Sequence, residues 1–183
     1  MSGPTWLSRT FAAVMIAVAL YHAARIVRSR MRAHPIRYDV DLTHLGMGVA
    51  MALMLLAPLS PAWSAGWALA FAVPTVWFAW RGARTFVFDG AHAAIRDAPH
   101  ALACAAMLYM LAVRAVPSPD MAGMSMPGTS GSSFVALPFA MLMLGVATQN
   151  AARLRQPASS PALAHGCQLA MSSTMVYMLA TML

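Results

Sequence analysis

Residues 41–80 read DLTHLGMGVAMALMLLAPLSPAWSAGWALAFAVPTVWFAW, and this stretch decides the fold. It contains two apolar runs, at 41–57 and 63–80, which are separated by Pro58 and Pro61. Each run approaches the roughly 20 residues that an α-helix needs to cross a bilayer. Because proline cannot continue a helix, the chain must turn between the two runs. The stretch therefore predicts two antiparallel membrane-spanning helices joined by a short turn.

The whole chain has the same apolar character. Of its 183 residues, 60% are apolar and 9% are charged, whereas an ordinary soluble domain has about 25% charged residues. So few charges cannot cover the surface of a soluble domain, which excludes a soluble enzyme, a nucleic-acid-binding module and a disordered tail. We predict an all-α polytopic membrane bundle in a bacterial plasma membrane, forming one domain over residues 1–183. Its six predicted transmembrane helices are 5–27, 41–57, 63–80, 99–116, 134–150 and 164–183.

The arginine distribution predicts the orientation of this bundle. All 12 cationic residues are arginines, and only Arg9 and Arg114 lie away from the three segments 28–40, 81–98 and 151–163 or their edges. The positive-inside rule places those three segments in the cytoplasm. With six helices, both termini and the loop at 117–133 are then extracytoplasmic.

Four histidines fall at one depth in this topology. His22 lies near the inner end of the first helix, while His44, His100 and His165 lie at the inner starts of the second, fourth and sixth helices. An imidazole is costly to leave against lipid. We therefore expect His44, His100 and His165 to face the bundle interior and to approach one another within about 15 Å, the span of one helix with its side chains.

Methionine stripes continue outward from these histidines. The chain has 17 methionines, and on the second helix they follow His44 at offsets of 3, 7 and 10 residues, which share one helix face within about 80°. The fourth helix repeats the offsets 7 and 10, and the outer loop at 117–133 is rich in methionine. The predicted metal ligands are His22, His44, Met47, Met51, Met54, His100, Met107, Met110, His165, Met171 and Met175 in the helices, with Met121, Met124 and Met126 in the loop.

Two of the histidines follow an aspartate at the same spacing. Asp41 precedes His44 by three residues, and Asp97 precedes His100 by three residues. Aspartate is a favourable N-cap because its carboxylate accepts the free amides of the first helical turn. It also orients metal-ligating imidazoles in many sites. We expect one of these two roles for both aspartates.

Thioether ligands select soft ions, above all Cu(I). The pattern therefore favours a protein that binds Cu(I) for uptake, storage or delivery, for instance to a copper oxidase. One alternative is an enzyme or redox protein. It would carry haem b between two of the four histidines, or Zn held by His44, His100 and His165 with Asp41 or Asp97. Another alternative is a structural accessory subunit of a membrane complex, in which the methionines only fill the core. No nucleic-acid partner is expected.

Three motifs together resemble a known family. They are Asp41-x-x-His44 with its three methionines, the second His-to-Met helix at 100–110, and the closing stretch from His165 to Met178. This arrangement resembles a family of small multi-pass actinobacterial membrane proteins that is catalogued only as a domain of unknown function. The resemblance implies a six-helix plasma-membrane protein and implies no activity and no catalytic residue.

Overall fold

The computed structural model describes residues 5–32, 37–57, 59–90, 97–115, 130–155 and 162–181. This described part of the chain is all-α, as predicted, and its helices follow the order of the six predicted segments. The helices are α1 Thr5–Arg32, α2 Tyr38–Leu56, α3 Pro61–Asp89, α4 Ala98–Ala115, α5 Ser130–Leu154 and α6 Ala162–Ala180.

Five of the six described helices are long and apolar enough to cross a membrane, which indicates a membrane protein. The five segments are Thr5–Met31, Tyr38–Leu56, Pro61–Asp89, Ala98–Ala115 and Phe134–Leu154. The segment α6 does not belong to this group, because His165, Gln168 and Ser172 lower its mean hydropathy.

Two helices extend well beyond their predicted ends. The helix predicted at 63–80 continues to Asp89, and the helix predicted at 5–27 continues to Arg32. The predicted loop at 81–98 is therefore helical over its first half, because a charged residue such as Arg81 or Arg84 ends an apolar run without ending a helix. Helix α3 ends where Gly90 adopts a φ of 83°, a conformation that glycine adopts without strain.

The start of α3 has the chemistry that Pro61 predicts. Ser60 is the N-cap of α3, and its side-chain oxygen accepts a hydrogen bond from the Trp63 amide at 3.4 Å. Pro61 occupies the first helical position, where its missing N–H has no helical partner to lose. The sequence therefore fixes the start of α3 locally.

The described helices fall into two compact units, Met1–Leu59 and Ser60–Leu183. In the first unit α1 packs against α2. These two backbones approach closely at Gly48, where a Cβ atom would lie 3.0 Å from the carbonyl oxygen of Met15. In the second unit α3 packs against α4 and α5 packs against α6, while α4 also contacts both α5 and α6.

Large apolar side chains cover the outside of the helices. Leu69 and Val73 on α3 and Phe134 on α5 are among the most exposed apolar residues of the described part. A soluble protein rarely leaves contiguous apolar patches of this kind uncovered. These side chains lie where lipid is expected, in agreement with the apolar composition.

Candidate metal centre

Asp41 lies within the first turn of α2 and not before it. The helix begins at Tyr38, and its N-cap is Arg37, which makes no side-chain capping hydrogen bond. The predicted capping role of Asp41 is therefore wrong, because the helix starts three residues earlier than the apolar run. The carboxylate is almost fully buried and bonds to side chains of α1.

His22 of α1 is one partner of this carboxylate. Its Nδ1 lies 2.8 Å from Oδ1 of Asp41, and both side chains are less than 5% exposed. A carboxylate accepts hydrogen bonds, so Nδ1–H of His22 donates, and in the neutral form of the ring Nε2 carries the lone pair. Nε2 is itself buried and has no hydrogen-bond partner among the described residues. A buried imidazole lone pair without a partner is the chemistry of a ligand position.

Arg25 is the second partner of Asp41. Its Nε lies 3.4 Å from Oδ2 of the carboxylate, and its side chain is 38% exposed. The guanidinium compensates the buried negative charge while its outer part remains accessible. The carboxylate of Asp41 on α2 therefore contacts two side chains of α1, the imidazole of His22 and the guanidinium of Arg25.

His44 lies beside His22 across the interface between the two helices. The centroids of the two imidazole rings are 4.9 Å apart, and the ring planes are inclined by 55°. The ring of Tyr21 also contacts the ring of His22 edge-on, with 5.2 Å between the ring centroids. The sequence predicted that Asp41 would orient His44, but the structure pairs it with His22 and brings the two histidines together.

Buried methionines lie further along the same interface. The contacts of His22 with His44 and of Ala19 with Gly48 define an antiparallel register, in which Met15 of α1 is level with Met51 of α2. Met47 follows His44 by one helical turn. Met15, Met47 and Met51 are all fully buried, and helical spacing places these three residues in a column that continues along the helices from the two histidines.

The second unit contains a related arrangement, in which an aromatic residue takes the place of His22. Nε of Arg81 on α3 lies 3.0 Å from Oδ2 of Asp97, which is buried at the start of α4. The ring of His100 packs against an aromatic ring of α3, as His44 does on α1, but that ring belongs to Phe78, at 5.5 Å between centroids. The aspartate at this position also orients a group on the preceding helix.

The remaining predicted ligands are distributed as follows. His100 and His165 are half-buried and belong to the second unit, whereas His44 belongs to the first. Met121, Met124 and Met126 lie outside the described residues. The other predicted methionine ligands are buried; they are Met54 on α2, Met107 and Met110 on α4, and Met171 and Met175 on α6.

Within the residues that the structure describes, no three side chains among His, Cys, Asp and Glu are grouped so that they could hold a metal ion. Methionine thioethers are not among these four side-chain types. The grouping of His44, His100 and His165 stays a prediction. A metal ion held by His22 and His44 would need further ligands, and the buried methionines of the same interface are available for this.

Residues 37–182 match a family described as a domain of unknown function, DUF5134. The chain belongs to this family. Neither a curated protein nor a solved structure matches the chain at a significant level. The DUF5134 match begins just before α2, so Asp41, His44 and Met47 lie inside it, while His22 and Arg25 of α1 precede it. The actinobacterial origin stays a prediction.

Sequence reasoning included His22 among the ligands but did not find its bond to Asp41. The available signal was the pair His22 and Arg25, one helical turn apart, on the helix that precedes the Asp41-to-His44 motif. In an antiparallel hairpin, the last helical turns of the first helix lie opposite the first turns of the second helix. The sequence shows spacing within one helix but not which residues of two helices face each other. It therefore associated Asp41 with its own helix, α2, and with His44.

Proposed function

We propose that this membrane protein binds Cu(I) in the interface between α1 and α2. The ligands are Nε2 of His22, the imidazole of His44 and the thioether of Met47. The observation that carries the proposal is the buried Nε2 of His22, which has no hydrogen-bond partner among the described residues while Nδ1 is held by Asp41 at 2.8 Å. Metal-ligating histidines commonly donate their other ring nitrogen to a carboxylate in this way.

The available ligand types favour Cu(I) over the other two cofactors considered. Protein zinc sites use three or four imidazole, thiolate or carboxylate ligands, and no such group of three is present in the described part of the chain. A haem between His22 and His44 needs room for a macrocycle, whereas their ring centroids are 4.9 Å apart. Two imidazoles with a thioether match the preference of Cu(I) for soft ligands.

The methionine column extends this site along the helices. Met47 lies about 4.5 Å from His44 along the helix axis, and Met51 lies about 6 Å beyond it, from the rise of 1.5 Å per residue. Met15 is level with Met51 on the facing helix. Neighbouring thioethers at this spacing offer an ion successive sites without a long uncoordinated gap, which supports uptake, storage or handover of copper, for instance to a copper oxidase.

A structural accessory subunit is the second candidate function. Met175 and Met178 of α6 are buried as completely as Met51 and Met54 of α2. Yet α6 carries no Asp-to-His motif at the matching positions. Methionine fills irregular gaps between helices well, so burial alone is compatible with packing. The accessory-subunit proposal assigns all of the methionines to this packing role.

A methionine exchange separates the two candidates. Met47→Leu conserves volume and apolarity, so the loss of unfolding free energy should be less than about 1.5 kcal/mol. If the proposed site binds copper, Met47→Leu removes its thioether ligand and should strongly reduce the copper retained by the purified protein, measured by elemental analysis under reducing conditions. Met143→Leu on α5 is the matched control because Met143 is equally buried and lies on a helix without histidine. Equal retention by both variants and the wild type favours packing.

We also propose that the chain crosses a bacterial plasma membrane six times, with both termini extracytoplasmic. The support is the arginine distribution together with six helices in the predicted order. Reporter fusions at residues 90 and 125 should then report the cytoplasm and the exterior, respectively. A reporter at residue 90 that is active only outside would contradict the orientation, and with it the shared depth of the histidines.

A further inference from the structure

The chain repeats one pattern with a period of 56 residues. The first hairpin, α1 with α2, and the second, α3 with α4, carry identical residues at equivalent positions. Three pairs of identical residues are Arg25 and Arg81, Asp41 and Asp97, and His44 and His100, each separated by 56 residues. Two further pairs at the same separation are Met51 and Met107, and Met54 and Met110. A constant separation that spans two helices and their connection is the signature of an internal repeat.

The repeated residues make the same contacts in both hairpins. In each case Nε of the arginine pairs with Oδ2 of the aspartate, at 3.4 Å for Arg25 and Asp41 and at 3.0 Å for Arg81 and Asp97. The two arginine side chains are almost equally exposed and both aspartates are buried. This cross-helix ion pair therefore belongs to the hairpin architecture and does not by itself mark a ligand site.

The third hairpin, α5 with α6, follows the same pattern with a connection four residues shorter. Met143, Ala147 and Asn150 of α5 correspond to Met15, Ala19 and His22 of α1, each 128 residues earlier. On α6 the equivalents of Met47, Met51 and Met54 are Met171, Met175 and Met178, at a separation of 124 residues. All twelve of these residues are buried. In this register His165 corresponds to Asp41, so it is not the equivalent of His44 and His100.

One buried position holds a different residue in each of the three hairpins. It holds His22 in the first, Phe78 in the second and Asn150 in the third, and each of these side chains is at most 5% exposed. The aspartate, the arginine and the second-helix histidine recur in the first two hairpins, yet only His22 adds an imidazole lone pair beside them. The fold therefore accepts Phe and Asn at this position without a ligand group.

We infer that the chain consists of three copies of one helix hairpin and that only the first copy binds a metal ion, because His22 is the one proposed ligand that both other copies lack. The inference rests on the proposed Cu(I) function for the identity of the ion. It assigns the site to the first hairpin alone, so the intact protein holds about one Cu(I) per chain, bound to one His–His pair with its carboxylate. His22 is thus the residue that determines the location of the site.

The experiment replaces His22 with the residues that the other two hairpins carry at the equivalent position. The full chain and its variants are purified in detergent and titrated with Cu(I) against a chromogenic Cu(I) chelator under anaerobic conditions. His22→Phe and His22→Asn each install a residue found at the equivalent position, and each should reduce the bound copper from about one ion per chain to almost none. Helix content is measured by circular dichroism in parallel.

The reciprocal variant should create a second site. Phe78→His combined with Ala103→Met supplies the second hairpin with the equivalents of His22 and Met47, beside Asp97 and His100, and should raise the bound copper to about two ions per chain. The matched control combines Ala103→Met with Phe71→His, which is also a buried exchange on α3 but at the position equivalent to Met15. The control should leave the stoichiometry unchanged.

Each outcome has a defined meaning. A wild-type protein that binds no Cu(I) overturns the proposed function and the metal part of this inference. A wild-type protein that binds copper while His22→Phe or His22→Asn retains it leaves the proposed function intact and overturns the assignment to His22. A folded Phe78→His and Ala103→Met variant that gains no ion also overturns the positional rule. If that variant loses its helix content, the two His22 variants decide alone.

Discussion

Replacing Asp41 with alanine should destabilise the first helix hairpin and weaken the proposed binding of Cu(I). The substitution removes the hydrogen-bond acceptor of His22 Nδ1 and the ion-pair partner of Arg25. Leaving a buried donor unsatisfied costs about 1–3 kcal/mol of unfolding free energy, and Arg25 adds little because its side chain is partly exposed. Without the carboxylate, His22 also loses its fixed ring orientation, so Cu(I) affinity should fall by roughly 10–100-fold.

Thermal unfolding in detergent and chelator competition measure these two effects. Asp39→Ala is the matched control, because Asp39 lies half a turn earlier on α2 and pairs with Arg37 at 3.5 Å in a partly exposed position. Exposed ion pairs contribute only about 0–1 kcal/mol, so the control should retain both stability and copper affinity. If Asp41→Ala and Asp39→Ala behave alike, the buried His22–Asp41 bond has no special role.

Replacing Gly48 with leucine should disrupt the packing of α1 against α2. A Cβ atom at Gly48 would already lie 3.0 Å from the carbonyl oxygen of Met15 and 3.1 Å from Cβ of Ala19. A leucine side chain at this point forces the two backbones apart, and such overpacking typically costs about 1–3 kcal/mol, occasionally more. The separation also moves His22 away from His44, so copper binding should be lost together with stability.

Gly145 on α5 provides the control for this substitution. A Cβ atom at Gly145 meets no heavy atom within 4 Å, and leucine favours a helix over glycine by up to about 1 kcal/mol. Gly145→Leu should therefore leave the unfolding temperature unchanged or raise it slightly. An unfolding temperature for Gly48→Leu equal to that of the wild type would show that α1 and α2 do not depend on close approach.

Much of the site was visible in the sequence before any register was known. The spacing from Asp41 to His44 and Met51 predicted a polar and thioether face on α2, and burial of Met47 and Met51 confirms that this face is internal. The 56-residue separation of Asp41 from Asp97 also lies in the sequence. The repeat is hard to see there because α1 and α3 share few residues, with His22 in one at the position of Phe78 in the other.

The ends of the helices were predicted less well than their existence. Hydropathy follows the apolar part of a helix and stops where charge begins, so it ended α3 at 80 although the helix continues to Asp89. The backbone hydrogen bonds of a helix do not depend on apolar side chains. The helix therefore continues through charged residues such as Arg81 and Arg84, where the end of the apolar run predicted a loop.

The sequence by itself determined the all-α class, the helix order and the residues available as soft ligands, because apolar length and helical spacing are local properties. Only the tertiary structure decided which groups meet. The antiparallel register of α1 and α2 paired Asp41 with His22 instead of His44, and brought the two imidazole rings to 4.9 Å. That register depends on the close approach at Gly48. A contact between two helices depends on the packing of both, so neither helix encodes it alone.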